Sequence, residues 1–286
     1  MNTQFWLIQA FNGISYGALL FLLASGLTLI FGVMRIVNLS HGAYFLLGGY
    51  VALSVIAATG SWLLALPVAA AVVAVIGLLM ERIFLRRVGF DPLRQVLLTV
   101  GFAFLFQQAA LDIWGGDNLD ITPPDMLRGS TVLGGLHFPM YRIFMIATAI
   151  VVGTILWLMM EKTRAGAMIR AAVDDSEMAR GVGIDTSRVS MFIFALGAFL
   201  AGLGGVVGGA FLGVYPGLDF EILPIAFAVV IIGGMGSLTG AAVGSLIVGL
   251  ADNFGKALFP EISYFTLYAP MVLILALKPT GLFGRE

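Results

Sequence analysis

Cysteine is absent from the 286-residue chain, which leaves no disulfide framework and no thiolate metal site. Histidine is scarce as well: His41 and His137 are the only two, too few for a His-rich metal centre. Charge is the third shortage. Only 11% of the residues are Asp, Glu, Lys or Arg, against about 25% in soluble domains, so the chain cannot clothe a water-soluble fold. That excludes a cytosolic enzyme. A net charge of −1, with 15 Lys and Arg that form no basic stripe, excludes nucleic acid as a natural partner. No G-x-x-x-x-G-K-[ST] loop and no H-E-x-x-H occurs, so the chain neither binds ATP through such a loop nor builds that zinc site. Gly236-Ser237 has no histidine base near it in sequence, which argues against an intramembrane serine nucleophile.

What is present is apolar length: 60% of the residues are hydrophobic. Residues 1–34 hold no charged side chain, and between Arg35 and Glu81 only His41 titrates in the usual range. Further uncharged runs cover 95–111, 143–160, 189–218, 222–251 and 262–277. A bilayer accepts only helices or closed barrels, and continuous rather than alternating apolarity selects helices. The fold class is therefore all-α, a single polytopic membrane domain over 1–286 with about eight transmembrane helices of about 20 residues each. The spans fall near 6–33, 43–59, 61–80, 95–112, 143–160, 189–212 and 263–278. The first lacks the basic flank of a secretory signal and is read as a retained span. Segment 223–251 is read as broken or re-entrant. Its apolar halves are short, and Gly233, Gly234, Gly236, Ser237, Thr239 and Gly240 interrupt them. One long helix kinked at the glycines is the other reading.

Orientation follows from the positive-inside rule. Arg82, Arg86, Arg87 and Arg94 mark one cytoplasmic connection, and Lys162, Arg164, Arg170, Arg180 and Arg188 mark another. Threading the chain through them puts the N-terminus outside, the C-terminus in the cytoplasm, and the Asp219 and Glu221 loop outside. Of the 15 Lys and Arg, all but Arg128, Arg142 and Lys256 then face the cytoplasm. Asp219, Glu221, Asp252 and Glu261 are expected at the outer ends of spans, leaving no membrane-embedded carboxylate pair for a proton relay.

Three stretches are more than lipid-facing helix. In GVMRIVNLSHGAYFLLGGY, 32–50, polar Asn38, Ser40 and His41 and then Gly42 follow an apolar helix. They form either a tight turn capping the next helix or unwound backbone lining a pathway. The Gly-rich interruption of 223–251 is a second pathway candidate. The third stretch, 161–188, holds ten of the 31 charges, five of each sign. Thr163 is a suitable N-cap there, Arg170 and Asp174 are spaced as an i, i+4 pair, and Ala165, Met168, Ile169 and Ala172 make one narrow apolar face. Without the bulky Trp, Phe or Leu of an interfacial helix, this face is expected to dock against a soluble partner.

These stretches also carry a family resemblance. GLTLIFGVMRIVNLSHGAYFLLGGY, TRAGAMIRAAVDDSEMARGVGID, AVVIIGGMGSLTGAAVGSLIVGL and the terminal KPTGLFGRE resemble the branched-chain amino acid ABC transporter permeases, more narrowly the shorter of the two permeases of that system. The resemblance implies a non-catalytic subunit of an ATP-driven importer in a prokaryotic inner membrane. Implied partners are a second, homologous permease, two cytoplasmic ATPases that hold the ATP and Mg, and an external substrate-binding protein. This chain carries no cofactor and no metal on that reading. Thr163, Arg164, Gly166, Arg170, Ala171, Ala172, Ala179, Gly181 and Ile184 would form the ATPase-coupling loop. It departs from the E-A-A-x3-G signature of many importers, with Arg170 where Glu would stand and Ser176 where Gly would. Asn38, Ser40, His41, Gly42, Gly233, Gly234, Gly236, Ser237, Thr239 and Gly240 would line the pathway. Urea, short amides or other amino acids are alternative substrates, and a stand-alone secondary transporter or channel is the alternative of another class.

Overall fold

The computed structural model describes residues 3–284 apart from 90 and 134. It is helical as expected: α1 Thr3–Met34, α2 His41–Thr59, α3 Trp62–Met80, a π-helical turn Glu81–Leu85 running into α4 Arg86–Val88, and α5 Pro92–Trp114. A short antiparallel hairpin, β1 Ser130–Leu133 and β2 Leu136–Pro139, precedes α6 Met140–Lys162. There follow α7 Arg164–Asp174, α8 Ser176–Gly181, α9 Thr186–Leu212, α10 Leu218–Gly233, α11 Leu238–Leu258 and α12 Ser263–Leu277. Among the described residues, eight helical stretches are long and apolar enough to cross a membrane. Helix starts are written locally. Ser61, Asp91, Thr163, Asp175, Asp185 and Ser237 each accept a backbone N–H in the first turn of the helix they open, which satisfies donors that a helix cannot pair internally.

Helix α1 is the central post, and its middle, from Leu19 to Ala24, is buried throughout. Helices α9 and α11 pack antiparallel along it through glycine. A Cβ on Gly17 would stand 2.7 Å from the Ser245 carbonyl oxygen, and one on Gly26 2.6 Å from that of Gly197. Lipid tails are as apolar as leucine, so helices in a bilayer associate through close packing, which small residues permit. Helices α5, α6 and α12 lie outside this core with mostly exposed apolar faces.

The broken segment differs from expectation in its bounds and make-up. It is a hairpin rather than a kinked helix: α10 ends at Gly233, α11 starts at Leu238, and the Gly233 backbone lies against Gly240 and Ala241. Only the first arm is short. Helix α10 has 16 residues, about 24 Å, whereas α11 with 21 is long enough to cross. Helix α10 also starts five residues before the expected 223, so Asp219 and Glu221 lie in its first turn and not in an outer loop.

Candidate functional site

The deepest departure from inert spans lies at 35–40. Helix α1 runs to Met34, yet the His41 Nε2 atom lies 3.0 Å from the carbonyl oxygen of Leu23. Eleven residues of helix separate Leu23 from Met34, about 16 Å, and residues 35–40, which are not helical, together with the reach of the His41 side chain cover that distance. An extended chain gains about 3.3 Å per residue, so six residues suffice. Helix α2 therefore begins inside the core. Its entrance is an Asn-based turn: Asn38 Oδ1 accepts from the Ser40 backbone N–H at 3.1 Å and from the Ser40 hydroxyl at 2.7 Å. The Leu39 N–H donates to Thr99 Oγ1 at 3.2 Å, and the Tyr44 hydroxyl meets Met80 Sδ at 2.9 Å. Asn38, Ser40 and His41 are all fully buried. Of the two readings of this stretch, the structure shows a hydrogen-bonded turn at the start of α2, and it lies within the core rather than at its edge.

Helix α10 begins at the same depth. Leu119 of the loop after α5 exchanges both backbone hydrogen bonds with Val214, at 2.9 and 2.8 Å, which pins the chain leaving α9. Gly217, at φ 101, then turns it into α10. The carbonyl oxygen of Asp219 would lie 2.4 Å from a Cβ on Gly42, so the first turns of α2 and α10 touch backbone to backbone. The two helices run away from this point in opposite directions, and Asp219 is 2% exposed. The expectation that this carboxylate sits at an outer end is therefore overturned. Among the described residues, four buried polar atoms here lack a hydrogen-bond partner: Asn38 Nδ2, His41 Nδ1, Tyr50 Oη and Asp219 Oδ1. Asp219 and Tyr50 were missed in the sequence because an acidic residue next to a loop reads as a solvated end.

The two glycine turns are not brought together. Gly233, Gly234, Gly236, Ser237, Thr239 and Gly240 lie at the arginine-rich end, where the Gly236 N–H donates to Thr28 Oγ1 at 3.2 Å. The C-terminal segment covers this turn. The N–H groups of Leu282 and Phe283 donate to the carbonyls of Ile232 and Gly233, both at 2.9 Å, and so cap α10. The glycines there serve close packing, with Gly236 and Thr239 exposed and Gly233, Gly234 and Gly240 buried.

In the loop 161–188, Thr163 is the N-cap of α7 as expected, accepting from the Gly166 N–H at 3.1 Å and donating to the Met159 carbonyl at 2.6 Å. A Cβ on Gly166 would stand 2.1 Å from the Met160 carbonyl oxygen, and the Arg170 guanidinium donates to that same carbonyl. Thr163, Gly166 and Arg170 thus make the corner between α6 and α7. Gly166, Ile169, Ala172 and Ala179 are buried in the chain itself, and Ala171 and Ile184 are half-buried. The face expected to be free for a partner is therefore largely used internally, Met168 excepted. Thr163, Arg164 and Gly181 are exposed, and the large exposed apolar side chains are Met168, Met178 and Val182. Among the described residues no group of three His, Cys, Asp or Glu is placed to hold a metal ion.

The family model described as "Branched-chain amino acid transport system / permease component" matches residues 9–275. The high-affinity branched-chain amino acid transport system permease protein LivH of Salmonella typhimurium is 31% identical over 306 residues, covering 100% of this chain and 98% of the relative. The permease protein BraD of Pseudomonas aeruginosa is 28% identical, with 98% and 96% covered. The ribose import permease RbsC of Escherichia coli is 26% identical, with 95% and 84% covered. No solved structure matches the chain.

Proposed function

This chain belongs to the branched-chain amino acid transport permease family, and from that membership we propose that it lines half of the transmembrane path of an ATP-driven importer of branched-chain amino acids. It is a transport component rather than an enzyme. Its partners on this reading are a second, homologous permease, two cytoplasmic ATPases that bind ATP and Mg, and an external binding protein. The membrane is a prokaryotic inner membrane, with the N-terminus outside and the arginine-rich end in the cytoplasm.

The observation that carries the substrate reading is the meeting of the α2 and α10 N-termini beside buried Asp219. A helix N-terminus holds roughly half a positive charge, and discontinuous membrane helices use such ends to hold anionic substrate groups. The pair suits a carboxylate, and the unpartnered Asp219 Oδ1 suits an ammonium group. An amino acid offers both, and the apolar walls accept its aliphatic side chain. Coupling runs through α7 and α8. Because the α6–α7 corner is stiff, ATPase movement against Met178 and Val182 is passed into the helices. The nucleotide cycle then supplies the differential affinity that alternating access needs.

The test is uptake of labelled leucine, valine and urea by the reconstituted complex. Leucine and valine uptake that needs ATP is expected, and transport without the ATPases would sink the reading. Asp219→Asn is expected to slow leucine uptake at least tenfold, about 1.4 kcal/mol of transition-state stabilisation, while binding-protein docking stays intact.

A further inference from the structure

A cavity of about 670 Å³ opens at the arginine-rich end, between the α7–α8 segment and the helix body. Small-molecule sites occupy about 300–1,000 Å³. Two features of its wall have no use in lipid packing. Arg35 has φ 54, the only positive value at a non-glycine residue among those described, a conformation that costs on the order of 1–3 kcal/mol and persists only where its surroundings enforce it. The helix after α3 adopts a π turn at Glu81–Leu85, a distortion frequent at functional sites.

Glu81 on that turn lines the cavity and is 4% exposed. Among the described residues no side-chain hydrogen bond or close ion pair reaches its carboxylate, and Arg86 is its charged neighbour. Arg86 partly offsets the charge of this carboxylate, and an ammonium group entering the cavity would supply a second cation beside it. Arg35, Arg86 and Arg180 on the same wall suit a carboxylate, while Val33, Met34, Ile36 and Leu85 offer aliphatic surface. Asp175 at the rim would repel a polyphosphate.

We propose that this cavity is a second amino acid site, filled from the side on which the transported amino acid is released. The ligand class rests on the transport reading above. An occupant bridges Glu81 of the helix body and Arg180 of α8, so it holds the α7–α8 segment in place and slows further cycles when product accumulates. The same two charges occur on an ethanolamine phosphate headgroup, which lacks the aliphatic side chain.

The natural absence of cysteine makes the test direct, because Ser190→Cys puts the only thiol of this chain on the cavity wall. In the assembled transporter, labelling of that thiol by a maleimide is followed with and without leucine. At ten times its dissociation constant, leucine should slow labelling about tenfold. 4-Methylpentanoate, 3-methylbutylamine and phosphoethanolamine should not slow it. Protection should persist in Asp219→Asn, which leaves this cavity untouched, and should be lost in Glu81→Gln and weakened in the surface variant Arg180→Gln. Leucine uptake without protection overturns the cavity assignment and leaves the transport reading standing. Protection without uptake does the reverse. Protection by phosphoethanolamine equal to that by leucine assigns the cavity to a lipid headgroup and overturns the proposal.

Discussion

Gly205→Ala is the sharpest perturbation of the α2–α9 contact. An alanine Cβ would stand 1.9 Å from the Phe45 carbonyl oxygen and 2.8 Å from its carbonyl carbon, both backbone atoms that cannot rotate away. Ordinary van der Waals contact begins at 3.4 Å, so the helices must part by about 1.5 Å at this crossing. A radial gap of 0.5–1 Å already forfeits about a quarter to a half of a dispersion contact. The contact one turn away is nearly as tight, a Cβ on Gly48 lying 2.2 Å from the Gly202 carbonyl oxygen. Overpacking of this kind costs about 1–3 kcal/mol, and the value here belongs at the upper end because backbone meets backbone. Gly101→Ala is the internal control. Gly101 lies mid-helix in α5 with nothing within 4 Å of an added Cβ, so the substitution should be neutral or stabilise by up to about 1 kcal/mol through helix propensity. Unfolding of the purified chain in mixed detergent micelles, followed by circular dichroism, measures both. Equal stability of Gly205→Ala and the parent, or equal loss in the two variants, would refute the argument from close approach.

A chain stopped after Gly281 loses the two tail hydrogen bonds that cap α10, about 0.5–1.5 kcal/mol each, and should show a lower unfolding midpoint in the same assay. Thr163→Ala removes the α7 cap and should cost about 1 kcal/mol, whereas Thr163→Ser should retain most of it. For the ATPase contact, Met178→Cys, 65% exposed in the parent, should crosslink to a cysteine-bearing ATPase, and Ala172→Cys, 7% exposed, should not. The reverse pattern would return the docking face to the inner side of α7.

The spans were legible because absence of charge over about 20 residues has one physical meaning in a folded chain. Caps were legible for a similar reason: Thr163 and Gly166 act within four residues, so their consequence is written locally. The depth at which α2 begins was not. A polar run such as Asn38 to His41 reads the same at the surface as in the interior, and what draws it inward is the distant pairing of His41 with Leu23 and of Leu39 with Thr99. Asp219 was misread on the same ground. Its burial depends on the backbone bridge between Leu119 and Val214, two residues that carry no sequence signal for each other. In the 161–188 loop the amphipathic pattern was real, but periodicity does not say what covers an apolar face, and here the chain's own helices cover most of it.

The placement of the two helix starts bears on how so weakly charged a chain discriminates among solutes. Two N-termini contribute roughly one positive charge inside the core, beside the one buried carboxylate of Asp219, so the charges there are close to balanced. A zwitterion adds a carboxylate near the dipoles and an ammonium near Asp219 and keeps that balance. A free amine or a free acid leaves one unit uncompensated, and a lone charge in the membrane interior costs several kcal/mol. Asp219→Asn shifts the balance toward positive and should therefore improve the standing of 4-methylpentanoate relative to leucine even as both slow down. A merely structural role for Asp219 would depress both alike. Apolar walls distinguish one methylene by only about 1–3 kcal/mol, so on the proposed reading the site would select for the charge pattern of a zwitterion and would separate leucine, isoleucine and valine only weakly.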